Sequence, residues 1–481
     1  MDAELHYDDA AASRALASSL NEEWEHLCTR YLPVACEDSI WRYSRGAARC
    51  DPDQGWKLHV SATVLTANEV LKKVAPLLRA SGTQFKAPSS LRELQKLNSG
   101  LSYGYSQVGK FITVYPRSPE EAVSLARRLH RLTRQMSAPS VPFDLRFRPD
   151  SCVYYRYGSF KHLEIENPDG TRTPAMRDPD GRLVPDVRDS CTARPDWISD
   201  LFVRQESKRN AAQIQSPLGT TFHAFQALAQ RGKGGVYKAL DLSVCPPRLC
   251  ILKEGRAGGE LAWDSRDGHW RVRHEERLLI SLRMAGVDVP RVYSSFEVEG
   301  NYYLVTEFID GETLQALLYK RQRRLPLSLA LLYGARLSSL ISQIHAARWA
   351  WRDCKPANVV VMKDGSFRPL DFEGACLSEQ PERERWSTPG FTPPDTGEER
   401  TGSCDDLYAL GAVVYLLLTG RLPAFPAIAP VERLRRNVPA RAREILAELL
   451  SADARRQPDA RTVTEELTAA MRALGKPLTR A

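Results

Sequence analysis

Lys57, His59 and Ser61 alternate along Gly55-Trp-Lys-Leu-His-Val-Ser-Ala-Thr63. In a strand, that alternation puts the three polar side chains on one face and Leu58 and Val60 on the other. A cation and an imidazole on one face can hold an anion and move a proton; a polar face turned to solvent is the competing explanation. Four more cations, Lys86, Lys110, Arg146 and Arg156, fall in or beside short strand-like segments, and Tyr155 and Tyr157 flank Arg156. Converging from several strands, they would form a pocket for a dianion. Clustered cations disfavour one another's charge, so a lysine among them can serve as a neutral base. A protonated imidazole can give its proton to a leaving oxygen. Together these parts suit β-elimination of phosphate from phosphoserine or phosphothreonine, a reaction that needs neither a metal nor an attacking water.

A second set of residues follows in a fixed order. Gly232-Lys-Gly-Gly235 is a turn whose backbone can approach phosphate, with Gly232, Gly234 and Gly235 lacking Cβ atoms. Lys253 lies in an apolar strand-like context, and Glu275 (or adjacent Glu276) on a helical stretch could pair with it. Trp351-Arg-Asp-Cys-Lys-Pro-Ala-Asn358 and Asp371-Phe-Glu-Gly374 come next, then Thr388-Pro-Gly-Phe-Thr-Pro-Pro-Asp395 and Asp406. Asp353 could accept a hydroxyl proton, while Asn358 and Asp371 offer hard oxygens to magnesium. Taken singly, each is an ordinary turn or strand-edge residue; their order and spacing point to phosphoryl transfer from ATP or GTP.

The elements that must position these groups show in the periodicities. Helices are expected over 11–31, 68–79 and 118–136, the last opened by the cap Ser118-Pro-Glu-Glu121, and strands over 55–63, 83–86, 110–115 and 153–157. That mixture is α+β. The stretch 167–204, with Asn167-Pro-Asp-Gly170 and Arg177-Asp-Pro-Asp-Gly181, reads as a long connection with little regular structure. Strand-like segments then dominate 222–252 and 292–308, and helical ones everything after 314, which suggests two lobes. The expected division is therefore 1–165, a connection 166–217, and a bilobal domain 218–481.

Composition bounds the classes available. With 481 residues, 43% of them apolar and 26% charged, the chain is neither disordered nor fibrous. The net charge of +8 fits a phosphorylated or acidic ligand and does not call for nucleic acid. The ten cysteines are scattered with no Cys-x-x-Cys, so neither zinc nor a disulfide framework is expected, and a reducing cytoplasm is the natural setting. No secretory signal is visible, and the apolar run 410–418 is too short to span a bilayer.

From about Thr220 onward the chain resembles eukaryotic-type protein kinases. That resemblance implies a Lys253–Glu275 ion pair, Asp353 as catalytic base, Asn358 and Asp371 as magnesium ligands, and Asp406 as a brace for the catalytic loop. Trp351 stands where such kinases carry His, and Glu373 where they carry Gly. The N-terminal motifs Gly55–Thr63, Gly109-Lys-Phe-Ile-Thr-Val-Tyr-Pro116, Asp144-Leu-Arg146 and Tyr155-Arg-Tyr-Gly158 resemble the phosphoserine/phosphothreonine lyase domain of class III and class IV lanthionine synthetases. The likeness continues through Asp178–Arg188 into Gly234-Gly-Val-Tyr237 and Asp371-Phe-Glu373. It implies Lys86 as base, His59 as general acid, and Lys57, Lys110, Arg146 and Arg156 as phosphate holders, with Lys57 also catalytic. It further implies a bifunctional dehydratase that phosphorylates Ser or Thr of a ribosomal precursor peptide, bound through its leader, and then eliminates phosphate. Those synthetases carry a third, cyclising domain whose ligand motifs are not found here, so any cyclase or decarboxylase is expected to be a separate partner. The alternatives are a regulatory Ser/Thr kinase with an N-terminal phosphopeptide-binding domain, and a non-catalytic partner protein.

Overall fold

The computed structural model describes residues 9–35, 39–161, 163–186, 193–202, 216–321, 324–379, 388–393, 402–424, 427–451 and 453–474. Pro394 and Asp395, which end the Thr388 motif, lie outside the described residues, as do Val187 and Arg188. The chain divides into two compact units. One comprises 1–247 with 252–270 and 296–303, and the other 248–251, 271–295 and 304–481.

The first unit opens with α1 (Asp9–Tyr31), β1 (Val34–Ala35), β2 (Trp41–Tyr43), β3 (Gln54–Val60), α2 (Ala67–Ala80), β4 (Gln84–Pro88), α3 (Leu91–Ser99), β5 (Ile112–Tyr115), α4 (Pro119–Thr133), β6 (Leu145–Arg146) and β7 (Val153–Ser159). The strands form one sheet in the order β1-β2-β4-β5-β3-β7-β6. Period-two alternation decides its faces. Trp56, Leu58 and Val60 of β3, Phe85 of β4 and Val114 of β5 join Trp24 of α1, Val70, Leu71 and Val74 of α2, and Leu125 and Leu129 of α4 in a single core. Lys57 and His59 consequently point to the other face. Ser118 caps α4 by accepting from the Glu121 N–H, as its sequence implies. α3 was not apparent in the sequence, although Ser90 caps it and Gly100 ends it in the left-handed conformation.

Within the stretch expected to be an irregular connection, β9 (Arg172–Arg177) and β10 (Leu183–Pro185) are regular strands, and with β8 (Glu164–Glu166) just before it they form a three-stranded antiparallel sheet in the order β10-β9-β8. The turn residues were recognised correctly, but they close hairpins: Gly170 and Gly181 both take positive φ, 79° and 82°. Further on, the Phe202 ring stacks on Tyr155 at 4.0 Å and meets Trp56 edge-on at 5.1 Å, inside the core of the seven-stranded sheet. Deleting a ring buried in this way costs about 3–5 kcal/mol. Residues 164–186 and 193–202 thus belong to the same unit as the first sheet, with Gln54 of β3 hydrogen-bonded to Arg177 of β9.

A single turn, α5 (Pro217–Thr220), leads into β11 (Phe222–Arg231), β12 (Gly234–Asp241), β13 (Arg248–Gly255), α6 (Gly268–Met284), β14 (Val292–Val298) and β15 (Asn301–Glu307). These strands make a five-stranded sheet ordered β11-β12-β13-β15-β14. Beyond it the second unit is mostly helical: β16 (Glu312–Thr313), α7 (Leu314–Arg321), α8 (Leu327–Ala346), β17 (Trp349–Ala350), β18 (Val359–Val361), β19 (Phe367–Pro369), β20 (Cys376–Leu377), α9 (Gly402–Thr419), α10 (Val431–Leu434), α11 (Ala440–Leu449) and α12 (Ala460–Arg472). A sheet-rich N-lobe followed by a helical C-lobe is the architecture expected of a kinase. Contrary to the sequence reading, α8 and α9 are long and apolar enough to cross a membrane. However, 61% and 72% of those stretches are buried within the fold, as in core helices. Eight cysteines among the described residues are free thiols.

Candidate active sites

Strand register gathers the N-terminal cations. Lys86 of β4 pairs with Thr113 of β5, which pairs with His59 of β3, so these three side chains form one row across the sheet. Lys57 lies directly opposite Arg156 of β7. Neighbouring strands are about 4.8 Å apart, which puts Lys86 and His59 about 10 Å apart at the backbone, within reach of one bound residue. Lys57, His59, Lys86, Lys110 and Arg156 all line one cavity, together with Trp41, Gln107, Thr113 and Tyr115. Five of the six cations and imidazoles expected there are therefore brought together. The exception is Arg146. It sits on edge strand β6, where its Nε donates to the Tyr154 hydroxyl (2.8 Å) and its Nη1 to the Pro149 carbonyl (2.8 Å), and it does not line the cavity. A two-residue edge strand beyond β7 carries it past the pocket.

The hydrogen-bonding partner of His59 was not anticipated. Asp144 has a fully buried side chain, accepts from His59 Nδ1 at 2.5 Å and has Lys110 Nζ 3.4 Å away. Burial alone would raise its pKa, but Lys110 and His59 outweigh that and hold it far below the ordinary carboxylate range. An ionised carboxylate only accepts, so His59 must donate through Nδ1 and keeps Nε2 for the pocket. Burial pushes the His59 imidazole down to about 4 against the pull of Asp144, and Lys110 and Lys57 add to the depression. Lys86 Nζ lies over the Trp41 ring, 4.2 Å from its centre, so the indole forms one wall beside it in the cavity. The sequence held one hint of Asp144: it opens a motif whose Arg had seemed the useful residue.

The glycine turn joins β11 to β12, with Arg231 opposite Gly234. Gly232 also packs against the end of α3. Its N–H donates to the Ser99 carbonyl at the end of α3 (3.0 Å), and a Cβ there would stand 1.6 Å from the Asn98 oxygen. Gly234, at φ 155°, is pressed against the Glu254 carbonyl, where a Cβ would come within 1.7 Å. Gly235 begins the next pair along β12, and Lys253 sits half-buried on β13.

In the second unit, β17 leads into the loop that carries Asp353, and β18 leads out of it. Asp406 of α9 accepts from the Trp351 and Arg352 N–H groups (2.8 and 2.6 Å) and from His345 Nε2 (2.8 Å), which braces the loop as expected. Trp351 Nε1 donates to the Asp371 carbonyl (2.9 Å), and its ring stacks on Phe372, so the unusual indole bonds the loop to the Asp371 segment. Asp353 accepts from Lys355 Nζ (2.8 Å), Asn358 Nδ2 (2.7 Å) and the Thr388 hydroxyl (3.0 Å). Lys355 and Thr388 had been given no role in the sequence reading. Burial and neighbouring Asp371 raise the Asp353 pKa against those donors. Between the two candidates on α6, Glu275 is the one turned inward: it is buried and accepts from the Phe372 N–H (3.3 Å). Glu275, Asp371 and Glu373 bring a carboxylate oxygen each within 4.8 Å of one another. This set of hard oxygens suits a magnesium ion, and the Asn358 carbonyl accepts from the Leu370 N–H (2.8 Å), one residue before Asp371.

Residues 33–213 match the family model of the RamC N-terminal domain, and residues 262–471 match that of the protein kinase domain. The chain therefore carries a RamC N-terminal domain followed by a protein kinase domain, the pairing expected from its likeness to class III and class IV lanthionine synthetases. Over 460 residues, 92% of the chain, it is 31% identical to the probable SapB synthase of Streptomyces coelicolor. It is also 27% identical over 220 residues (44% of the chain) to the serine/threonine-protein kinase PknA of a Nostoc species. To PkaA of Streptomyces coelicolor it is 31% identical over 284 residues, 54% of the chain. These matches cover 46%, 39% and 51% of the relatives, so the chain spans about half their length or less.

Proposed function

We propose that the chain dehydrates Ser and Thr residues of a precursor peptide in two steps: its kinase domain phosphorylates the hydroxyl, and its N-terminal domain eliminates the phosphate. The observation that carries this reading is the single cavity lined by His59, Lys86, Lys57, Lys110 and Arg156. In the first step Asp353 accepts the hydroxyl proton as the oxygen attacks the terminal phosphate of ATP or GTP. Asn358 and Asp371, joined by Glu373, would hold magnesium, which when bound offsets the charge of the nucleotide phosphates. Lys253 and the glycine turn serve the nucleotide.

In the second step Lys57, Lys110 and Arg156 hold the phosphate dianion. The neutral amine of Lys86 takes the Cα proton, the C–H electron pair becomes the Cα=Cβ bond, and the Cβ–O bond breaks. His59 gives its Nε2 proton to the departing oxygen, so the products are a dehydroamino acid and inorganic phosphate. Burial, which pushes its pKa down to about 4, keeps His59 neutral at physiological pH until a phosphate docks. A docked dianion reverses this. One opposite charge at about 4 Å is worth about 4 kcal/mol at an effective dielectric of 20, or about three pKa units. The substrate thus supplies the field that protonates its own acid, and Asp144 stabilises the imidazolium.

Two measurements test this. Incubating the chain with a synthetic phosphothreonine peptide, without nucleotide or metal, is expected to give the dehydrated peptide and free phosphate; intact phosphopeptide beside folded protein would refute the elimination. In calorimetry near pH 7, in buffers of different ionisation heat, phosphopeptide binding should take up protons. Asp144→Asn should abolish that uptake and slow elimination about 10²–10⁴-fold. An unchanged uptake would remove His59 as the acid.

A further inference from the structure

Arg156 is 3% exposed, lines the cavity and extends from β7, and one of its partners lies outside the seven-stranded sheet. Its Nη2 donates to Asp186 Oδ1 at 2.6 Å, and the two side chains are 3% and 2% exposed. Asp186 follows β10 directly. Its backbone N–H donates to the Pro174 carbonyl of β9 (2.7 Å), so the β9–β10 hairpin sets its place. On β7, Gly158 stands two residues after Arg156 on the same face, and a Cβ there would come within 3.0 Å of Asp186 Oδ2. The strand is cut back at the position where the carboxylate enters. A guanidinium is planar and rigid, so a partner fixed on one N–H sets the plane of the others.

We propose that Asp186 is a positioning residue of the elimination pocket: it fixes the Arg156 guanidinium for the phosphate, which makes the small β8–β10 sheet part of the site. This rests on the elimination reading of that pocket. Asp186 touches neither phosphate nor the reacting carbon, and its effect passes through Arg156. Losing one charge-assisted hydrogen bond to a phosphate holder corresponds to about a 10–100-fold change in binding.

The test uses the full chain. Asp186→Ala is expected to raise KM for a phosphothreonine peptide and Kd for inorganic phosphate about 10–100-fold, with kcat much less affected. Asp186→Asn keeps an acceptor oxygen and should recover most of that loss. In an Arg156→Ala background, Asp186→Ala should cost nothing further, because both changes act through one contact. Multiplying losses, or an Asp186→Ala chain with unchanged KM and Kd, would overturn the assignment. Should the alanine chain fail to fold, Asp186→Asn carries the cycle, and an asparagine chain as impaired as Arg156→Ala would overturn it too. The wild-type chain separates the two ideas. If it eliminates nothing, the elimination reading fails, while phosphate Kd values still decide whether Asp186 acts through Arg156.

Discussion

His59→Ala should turn the phosphorylated precursor peptide from an intermediate into the end product. With peptide, ATP and magnesium, phosphopeptide is expected to accumulate while dehydrated peptide forms about 10²–10⁴-fold more slowly than in the wild type, the usual worth of a positioned general acid. The phosphate must otherwise leave with its full charge into a pocket that has lost its proton donor. Phosphorylation should proceed at the wild-type rate, because the loop of Asp353 is braced by Asp406, Trp351 and His345 within the second unit. Time-resolved mass spectrometry of the peptide distinguishes the outcomes. Dehydration at an unchanged rate would exclude His59 as the acid. Weaker peptide binding with no phosphorylated species accumulating would favour a kinase whose N-terminal domain only binds phosphopeptides. A Lys86→Met chain should show the same accumulation, since without a base the Cα–H bond cannot break. If phosphate were still eliminated there, another group would have to take that proton.

How much of this the sequence carried depended on whether the signal was local. The alternation of Lys57 and His59 against Leu58 and Val60 is a property of seven consecutive residues, and β3 displays it as read. The kinase motifs are likewise short and ordered, so Asp353, Asn358, Asp371 and Asp406 could be named before any coordinates. Partners set by strand order were hidden. Asp144 meets His59 across 85 residues of chain, and Asp186 meets Arg156 across 30, through pairings that no periodicity encodes. Arg146 shows the same limit: it stands beside a strand in the sequence, but that strand lies at the sheet edge, where the Tyr154 hydroxyl and the Pro149 carbonyl accept from its guanidinium. The small sheet β8–β10 was missed because its strands are only three to six residues long and largely polar, too short to show alternation between recognisable turns.

The complementary change, Asp353→Asn, separates the two chemistries from the other side. Asparagine is nearly isosteric, so Lys355, Asn358 and Thr388 keep a neighbour of the same shape, but the charge that accepts the hydroxyl proton is gone. Burial and Asp371 already lift the pKa of this carboxylate, which moves its basicity toward that required of a general base. Phosphorylation of the unmodified peptide should therefore fall about 10²–10⁴-fold. Elimination from a peptide supplied already phosphorylated should continue at the wild-type rate, because the cavity around His59 and Lys86 lies wholly within the first unit. Mixing Asp353→Asn and His59→Ala chains should then restore dehydration in trans, the second making phosphopeptide and the first consuming it. The mixture should be slower than one chain holding both sites, because the intermediate must cross solution and loses the high effective concentration that a shared chain provides. If the mixture forms no dehydrated peptide while each chain performs its retained half-reaction, the phosphopeptide is not a released intermediate, and the two steps require one polypeptide.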